Sequence, residues 1–317
     1  MKDKRFKSLD EQIEILKHRG LVVLDEDYAK KVLLRENYFF LNGYRHLFLK
    51  SEHTDYFLAG STFEELYSLF LFDRSFRNII FKNILTIENN LKSIISYQLS
   101  KKYGYKEKDY LKAKNFTDDS SKTRQVNDLL QKMKRQIRVN GSQHSATMHY
   151  ISNYGYIPLW ILVKVLSFGI VCEMVSILKR EDQKVLASVY GVPLEELLTY
   201  LPILSNYRNL CAHEDILFEN KTQTLIGNTF YHSFLKIDKM DGEYIYGKND
   251  LFALIIIMKQ LLDKDDFTNM VEEIKNILNN LEYNLHTIEK GKVLDRMGFP
   301  DNWETIKNVE KRNEDEK

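Results

Sequence analysis

The feature that most constrains this chain is an apolar stripe at Leu66, Leu69, Phe76, Ile80, Ile84, Ile87, Leu91 and Ile94. Steps near three, four and seven keep these side chains on one face of a helix. Ser61-Thr62-Phe63-Glu64 reads as a capping box that opens it. A long helix over roughly 64–103 is predicted. Asp73 falls on the stripe, Arg77 follows one turn later, and Glu88 projects close to the Arg77 side, nearly three turns on. A polar cluster is therefore expected on the buried face, and structural pairing is its expected role.

The rest of the pattern is also helical. Only 13 Gly and 4 Pro interrupt 317 residues. Ser8-Leu9-Asp10-Glu11 is a second capping box, opening a short helix that ends at Gly20, and another helix is expected from about Asp27 to Tyr38. Ser120 to Arg138 gives a basic helix, and Ile157-Pro158-Leu159-Trp160 starts an apolar one that breaks near Ser167. Gly191-Val192-Pro193 introduces a further helix. Pro202 is predicted to interrupt it, with a fresh helix over about Ile203 to Ala212.

Phe234 to Ile237, Asp241-Gly242 and Tyr244 to Tyr246 read as a β-hairpin. Two final helices are expected near Asp250 to Leu262 and Asp266 to Glu289. The predicted fold class is mainly α, a helical bundle with a small β-hairpin. Its expected organisation is an N-terminal helical segment, 1–60, packed on a helical domain, 61–290, with the hairpin within 225–248. A charged C-terminal tail, 291–317, follows.

The composition, 44% hydrophobic and 29% charged, is ordinary for a globular protein. The N-terminal residues are charged and lack a signal-peptide core, and no apolar run is long enough to cross a bilayer as a helix. Cys172 and Cys211 have no metal-ligand spacing and suit a reducing compartment. A soluble, cytoplasmic protein with no membrane partner is expected. The net charge of +1 hides an uneven distribution. Residues 101–138 hold 12 Lys/Arg against 5 Asp/Glu, whereas residues 263–317 hold 9 against 14. Lys101, Lys102, Lys132, Lys134, Arg135 and Arg138 are candidates for binding phosphate backbones. The alternative is a solvated basic helix.

The segment with chemical potential is Ser205-Asn206-Tyr207-Arg208-Asn209-Leu210-Cys211-Ala212-His213. Imidazoles exchange protons near neutral pH. A fixed guanidinium binds a scissile phosphate and steadies charge developing on its oxygens. RNA brings its own nucleophile, the 2′-hydroxyl, so this set suits RNA cleavage without a metal or other cofactor. Asn209 could hold the imidazole or bond the phosphate. On a regular helix Arg208 and His213 lie about 140° apart. They converge only if the helix ends near Ala212 or if two copies meet, so a homodimer is predicted. The competing reading is a helix-end histidine at the negative pole of the helix dipole. His144 and His149, five apart, lack a cysteine partner and make a poor metal site.

Ordered blocks across Ser8 to Lys221 carry a resemblance. They are EQIEILKHRGLVV, NYFFLNGY, TFEELYSLFLFDRSFR with IENNLKSIISYQLSKKYG, PLWILVKVLSFG, and YRNLCAHEDILFEN. Together they resemble the Abi-like family of bacterial abortive-infection proteins, of the AbiD/AbiF type. The short motif of an Arg, four residues and a His resembles the signature of HEPN ribonucleases. The resemblance implies a HEPN helical bundle with Arg208 and His213 in catalytic roles and Asn209 supporting them. It also matches Asp73, Arg74, Arg77 and Glu88 to the family's charged central helix. Arg74 and Arg77 become candidate RNA contacts, and Asp73 and Glu88 a supporting polar cluster.

The chain departs from the pattern at Phe39-Phe40-Leu41, where relatives often have Tyr-Arg-Leu. Relatives often carry a second His and an Arg just after the catalytic His; here Glu214 and Ile216 stand there. Glu214 and Asp215 add negative charge beside the site, which repels phosphate. The implied function is a toxin-like RNA endonuclease of phage defence, with RNA as substrate and a small RNA or a protein as antitoxin. The alternatives are a non-catalytic RNA-binding protein and a helical scaffold.

Overall fold

The computed structural model describes residues 5–310. Three short helices, α1 (Leu9–His18), α2 (Glu26–Glu36) and α3 (Tyr38–Asn42), precede α4 (Phe63–Tyr103). A connector holds α5 (Glu107–Tyr110), α6 (Thr123–Asn140) and α7 (Ser145–Tyr154). The chain continues through α8 (Leu159–Val165), α9 (Phe168–Ser176), α10 (Arg180–Tyr190) and α11 (Leu194–Ala212). After α12 (Phe230–Phe234) and strands β1 (Lys239–Met240) and β2 (Glu243–Tyr244) come α13 (Leu251–Leu261), α14 (Lys264–Tyr283) and α15 (Lys290–Met297). The fold is mainly α with a small β-hairpin, as the periodicity predicts.

The 41-residue α4 is the spine, packing against α8, α11, α13 and α14. Its cap sits one residue later than expected. Thr62 Oγ1 accepts from the Glu65 N–H at 3.1 Å, and the Glu65 carboxylate accepts from the Thr62 N–H at 3.1 Å. Glu65 is buried because it also accepts from the His286 and Thr287 N–H groups, each at 2.6 Å, joining the start of α4 to the chain after α14. Burial opposes its charge, yet these donors hold its carboxyl below the usual range. The stripe from Leu66 to Leu91 is buried, and so are Phe63, Phe70, Phe72 and Ile79 beside it, because helices cover α4 on several sides. α13 is buried all round, as its nearly unbroken apolar run requires.

Two expectations fail. Pro202 does not end a helix: α11 runs unbroken through it. An interior proline costs ~3 kcal/mol, and each fully buried Leu or Ile offsets ~1.5–3 kcal/mol. Pro202 is exposed while Leu201, Ile203 and Leu204 are buried, so packing decides. Nor is 291–310 a charged tail. Val293, Leu294, Met297, Phe299, Trp303 and Ile306 are buried, an apolar set that the local charge count obscured. Residues 311–317 of that tail lie outside the described residues.

The hairpin forms where Asp241-Gly242 directs it. Both residues have positive φ, 52° and 87°, as a tight primed turn requires. It is shorter than expected, because Phe234 ends α12 and Lys236 turns the chain with φ 52°. Among the described residues no helix is long and apolar enough to cross a membrane.

Candidate active site

The segment of interest lies at the C-terminal end of α11. Tyr207 and Cys211 point into the core, Arg208 is half-buried, and Asn209, Ala212 and His213 are exposed. His213 caps the helix, its N–H bonding to the Asn209 carbonyl at 3.0 Å. The next two N–H groups fold back, Glu214 to the Cys211 carbonyl at 3.4 Å and Asp215 to the Leu210 carbonyl at 3.1 Å. This is a Schellman closure. Its left-handed residue is Glu214, φ 58°, where glycine would be unstrained.

A buried latch fixes the chain that follows. Asp73 Oδ1 accepts from the Phe218 N–H at 2.8 Å; Oδ2 accepts from the Leu217 N–H at 3.1 Å, the Tyr44 hydroxyl at 2.7 Å and Arg77. Arg77 Nη1 also donates to Tyr44 at 3.0 Å and to the Asp215 carbonyl at 3.3 Å. Burial pushes the Asp73 carboxyl up, and the adjacent Arg77 charge and the backbone donors oppose that. Every contact to Asp73 is a donor, so the ionised carboxylate satisfies them all. Arg77 is likewise disfavoured by burial, but Asp73 carries it above its ordinary range. Asp73 and Arg77 therefore pair one turn apart, as their spacing predicts. Glu88 does not join them. The span from Arg77 carries it along α4 to Lys92, 2.6 Å away.

His213 lines a cavity of about 540 Å³ beside this latch. Arg35, Arg45, Arg74 and Arg77 line it too, facing Glu36, Glu214 and Asp215, with Phe39, Phe40 and Tyr44 on its wall. Most of these cations are paired. Arg74 forms a two-pronged bond with Glu36 at 3.1 and 2.5 Å, Arg45 lies 3.6 Å from Asp55, and Arg77 is held by Asp73. Arg35 is exposed and enters no ion pair among the described residues. Gly43 forms part of the wall: a Cβ there would stand 2.4 Å from Ile216 Cδ1, so the end of that side chain would have to shift. Arg35, Tyr44 and Arg45 were missed from sequence, since the tie from Tyr44 to Asp73 spans 29 residues and leaves no local signal.

Arg208 faces elsewhere. It is absent from this cavity lining, its guanidinium carbon lies 5.8 Å from the Phe81 ring centroid, and its Nε is 3.7 Å from Glu88 Oε2. Those two atoms are buried and lack hydrogen-bond partners. A single chain thus gives Arg208 and His213 different surroundings, as the 140° splay requires, and Asn209 remains on the exposed face. Among the basic candidates, Lys132 bonds Glu173 at 2.7 Å, while Lys102 bonds Glu181 at 2.6 Å and Asp182 at 2.5 Å. Lys101, Lys134, Arg135 and Arg138 are exposed, and none of the four enters an ion pair among the described residues.

Comparison with known families gives one match. The profile of the family described as Abi-like protein covers residues 31–219, more than half of the chain and both ends of the latch. No curated protein and no solved structure matches the chain significantly.

Proposed function

Since the chain belongs to the Abi-like protein family, we propose that it acts in bacterial abortive infection as a HEPN-type RNA endonuclease. One observation carries this reading. His213 is exposed at an arginine-lined cavity, on a turn that the Asp73 latch holds from beneath. The imidazole accepts the proton of an RNA 2′-hydroxyl as that oxygen bonds to phosphorus. The bond to the 5′-oxygen breaks, that oxygen takes up a proton from water to become a 5′-hydroxyl, and the other strand end is a 2′,3′-cyclic phosphate. Arg208 stabilises the charge on the non-bridging oxygens. Because one chain does not bring Arg208 into the His213 cavity, two copies of the site face one another across a homodimer.

The loose pairing of Arg208 with Glu88 supports its role, since a 3.7 Å approach leaves a side chain that is 31% exposed able to take a phosphate instead. A second reading is a protein that binds RNA elsewhere on its surface without cutting it, because Glu214 and Asp215 line the cavity with His213 and repel a scissile phosphate there. Induction of the wild type and of His213→Ala in growing cells, with sequencing of RNA ends, separates the two. On the nuclease reading only the wild type arrests growth and leaves cyclic phosphate ends. A substrate with deoxyribose at the cut site is inert. Equal RNA binding by both proteins with no cleavage by either establishes the binding reading.

A further inference from the structure

A second chemistry-bearing surface shares no residue with the His213 cavity. Tyr150 and Tyr154 lie one turn apart on α7, with ring centroids separated by 5.3 Å. From Tyr154 the rings continue to Tyr156 at 6.3 Å, to Tyr105 at 5.7 Å and to Trp160 at 5.7 Å. Trp160 Nε1 then reaches back to the Tyr150 hydroxyl at 3.5 Å, closing a circuit of five aromatic side chains. Gly155, in the left-handed region with φ 71°, ends α7 and turns the chain so that Tyr156 rejoins the group. His149, which spacing alone made a poor metal ligand, packs edge-on against Tyr150 and Tyr154.

An aromatic series at helical spacing is usually core, as the fully buried Tyr44 and Tyr200 are. This one is open to solvent: Tyr154 is 57% exposed, and Tyr105 and Trp160 are each 41% exposed. A cation sits on it, Lys106 Nζ lying 4.7 Å from the Tyr156 centroid and 5.9 Å from that of Tyr105. The neighbouring helix α6 packs on α7 and carries Lys134, Arg135 and Arg138, which have no acidic partners among the described residues. Tyr105 and α6 belong to the stretch with 12 basic against 5 acidic residues.

The geometry points to a platform for single-stranded RNA, on which bases stack against the Tyr105–Tyr154–Trp160 faces while Lys106 and the α6 cations follow the phosphates. Aromatic faces and a tracking line of cations are what an unpaired strand needs, because every base offers a π-face and every link a negative charge. A duplex keeps its base faces stacked internally and cannot use the rings in this way. The inference rests on RNA being the ligand class proposed above, but not on cleavage.

The chain has two tryptophans, and the other, Trp303, is buried at 2% exposure. A base seated on the platform therefore quenches Trp160 selectively. The experiment titrates a short single-stranded RNA of mixed sequence, and the same sequence as a duplex, into full-length protein carrying His213→Ala. Tryptophan emission is followed, and the titrations are repeated with Tyr154→Ala added. The expected result is quenching by the single strand, little by the duplex, and about ten-fold weaker single-strand binding in the Tyr154→Ala protein. Binding without quenching, equal quenching by the duplex, or unchanged affinity in the Tyr154→Ala protein overturns the proposal. So does an absence of RNA binding, and self-association abolished by Tyr154→Ala would assign the patch to a protein interface instead. If the wild type cuts no RNA yet the platform binds as expected, the nuclease reading fails and this one stands.

Discussion

Two buried ion pairs lie on α4, each between residues four apart, and they are completed differently. Asp73–Arg77 is sealed: both carboxylate oxygens and Arg77 Nη1 are occupied, and two backbone N–H groups of the segment after His213 end on Asp73. Glu88–Lys92 is left open, with Glu88 Oε2 facing Arg208 Nε beyond hydrogen-bonding distance and neither atom otherwise bonded. The first pair fixes a position and the second leaves a guanidinium with unused bonding capacity. A nuclease site would need both conditions, a histidine held in place and an arginine that gains bonds when a phosphate arrives.

The comparison breaks most easily at Asp73. Asp73→Ala strands the Arg77 charge in the core and frees two backbone donors, so it should destabilise the chain by about 3–5 kcal/mol. The denaturation midpoint measures this, and a loss under ~1 kcal/mol would mean that the latch holds nothing.

A third buried carboxylate, Asp250, sharpens the contrast because it has backbone donors, Gly247 and Ala253, but no ion-pair partner among the described residues. Burial pushes it up to about 6 despite those donors. The folded state then holds this proton more tightly than the unfolded chain, whose Asp titrates near ~4. Its contribution to stability is greatest below pH ~4 and is lost as pH rises through about 6, a change of at most ~3 kcal/mol. Unfolding free energies across that window for the wild type and Asp250→Asn should differ in slope by this component. Parallel curves would show that burial does not shift the group.

At Glu88 a smaller effect is expected. Glu88→Gln leaves Lys92 without its anion, but that side chain is 11% exposed and can reach water, so a loss of ~1–2 kcal/mol follows. A loss as large as that of Asp73→Ala would erase the distinction between the pairs. The smallest change concerns the strained turn beside His213. Glu214→Gly relieves a left-handed residue and should stabilise by roughly 0.5–1 kcal/mol, part of the relief being offset by glycine's greater freedom when unfolded. A lowered thermal midpoint would show that the Glu214 side chain contributes contacts that outweigh the strain.

Much of the helix order could be read in advance, because capping boxes and three–four spacing act over a single turn. The Ser8 cap, the extent of α4 and the turn at Asp241-Gly242 are all local events. The pairing of Asp73 with Arg77 was readable for the same reason. Pro202 and the chain after 290 were misread because burial by distant helices overrode a local breaker in one case and a local charge count in the other.

The sequence by itself singled out Arg208, Asn209 and His213 as candidates, and determined that a regular helix splays the first from the last. It also carried the family signature. Tertiary structure alone decided what each of them meets: His213 a cavity with Arg35 and Arg74, Arg208 the side of α4 at Glu88 and Phe81. It also decided that rings from α7, α8 and the chain after α4 would gather on the surface. The physical reason is range. Helical periodicity and caps act between neighbours in sequence, whereas the donors to Asp73 come from residues 29 positions before it and 144 and 145 after it, brought together only when the core closes.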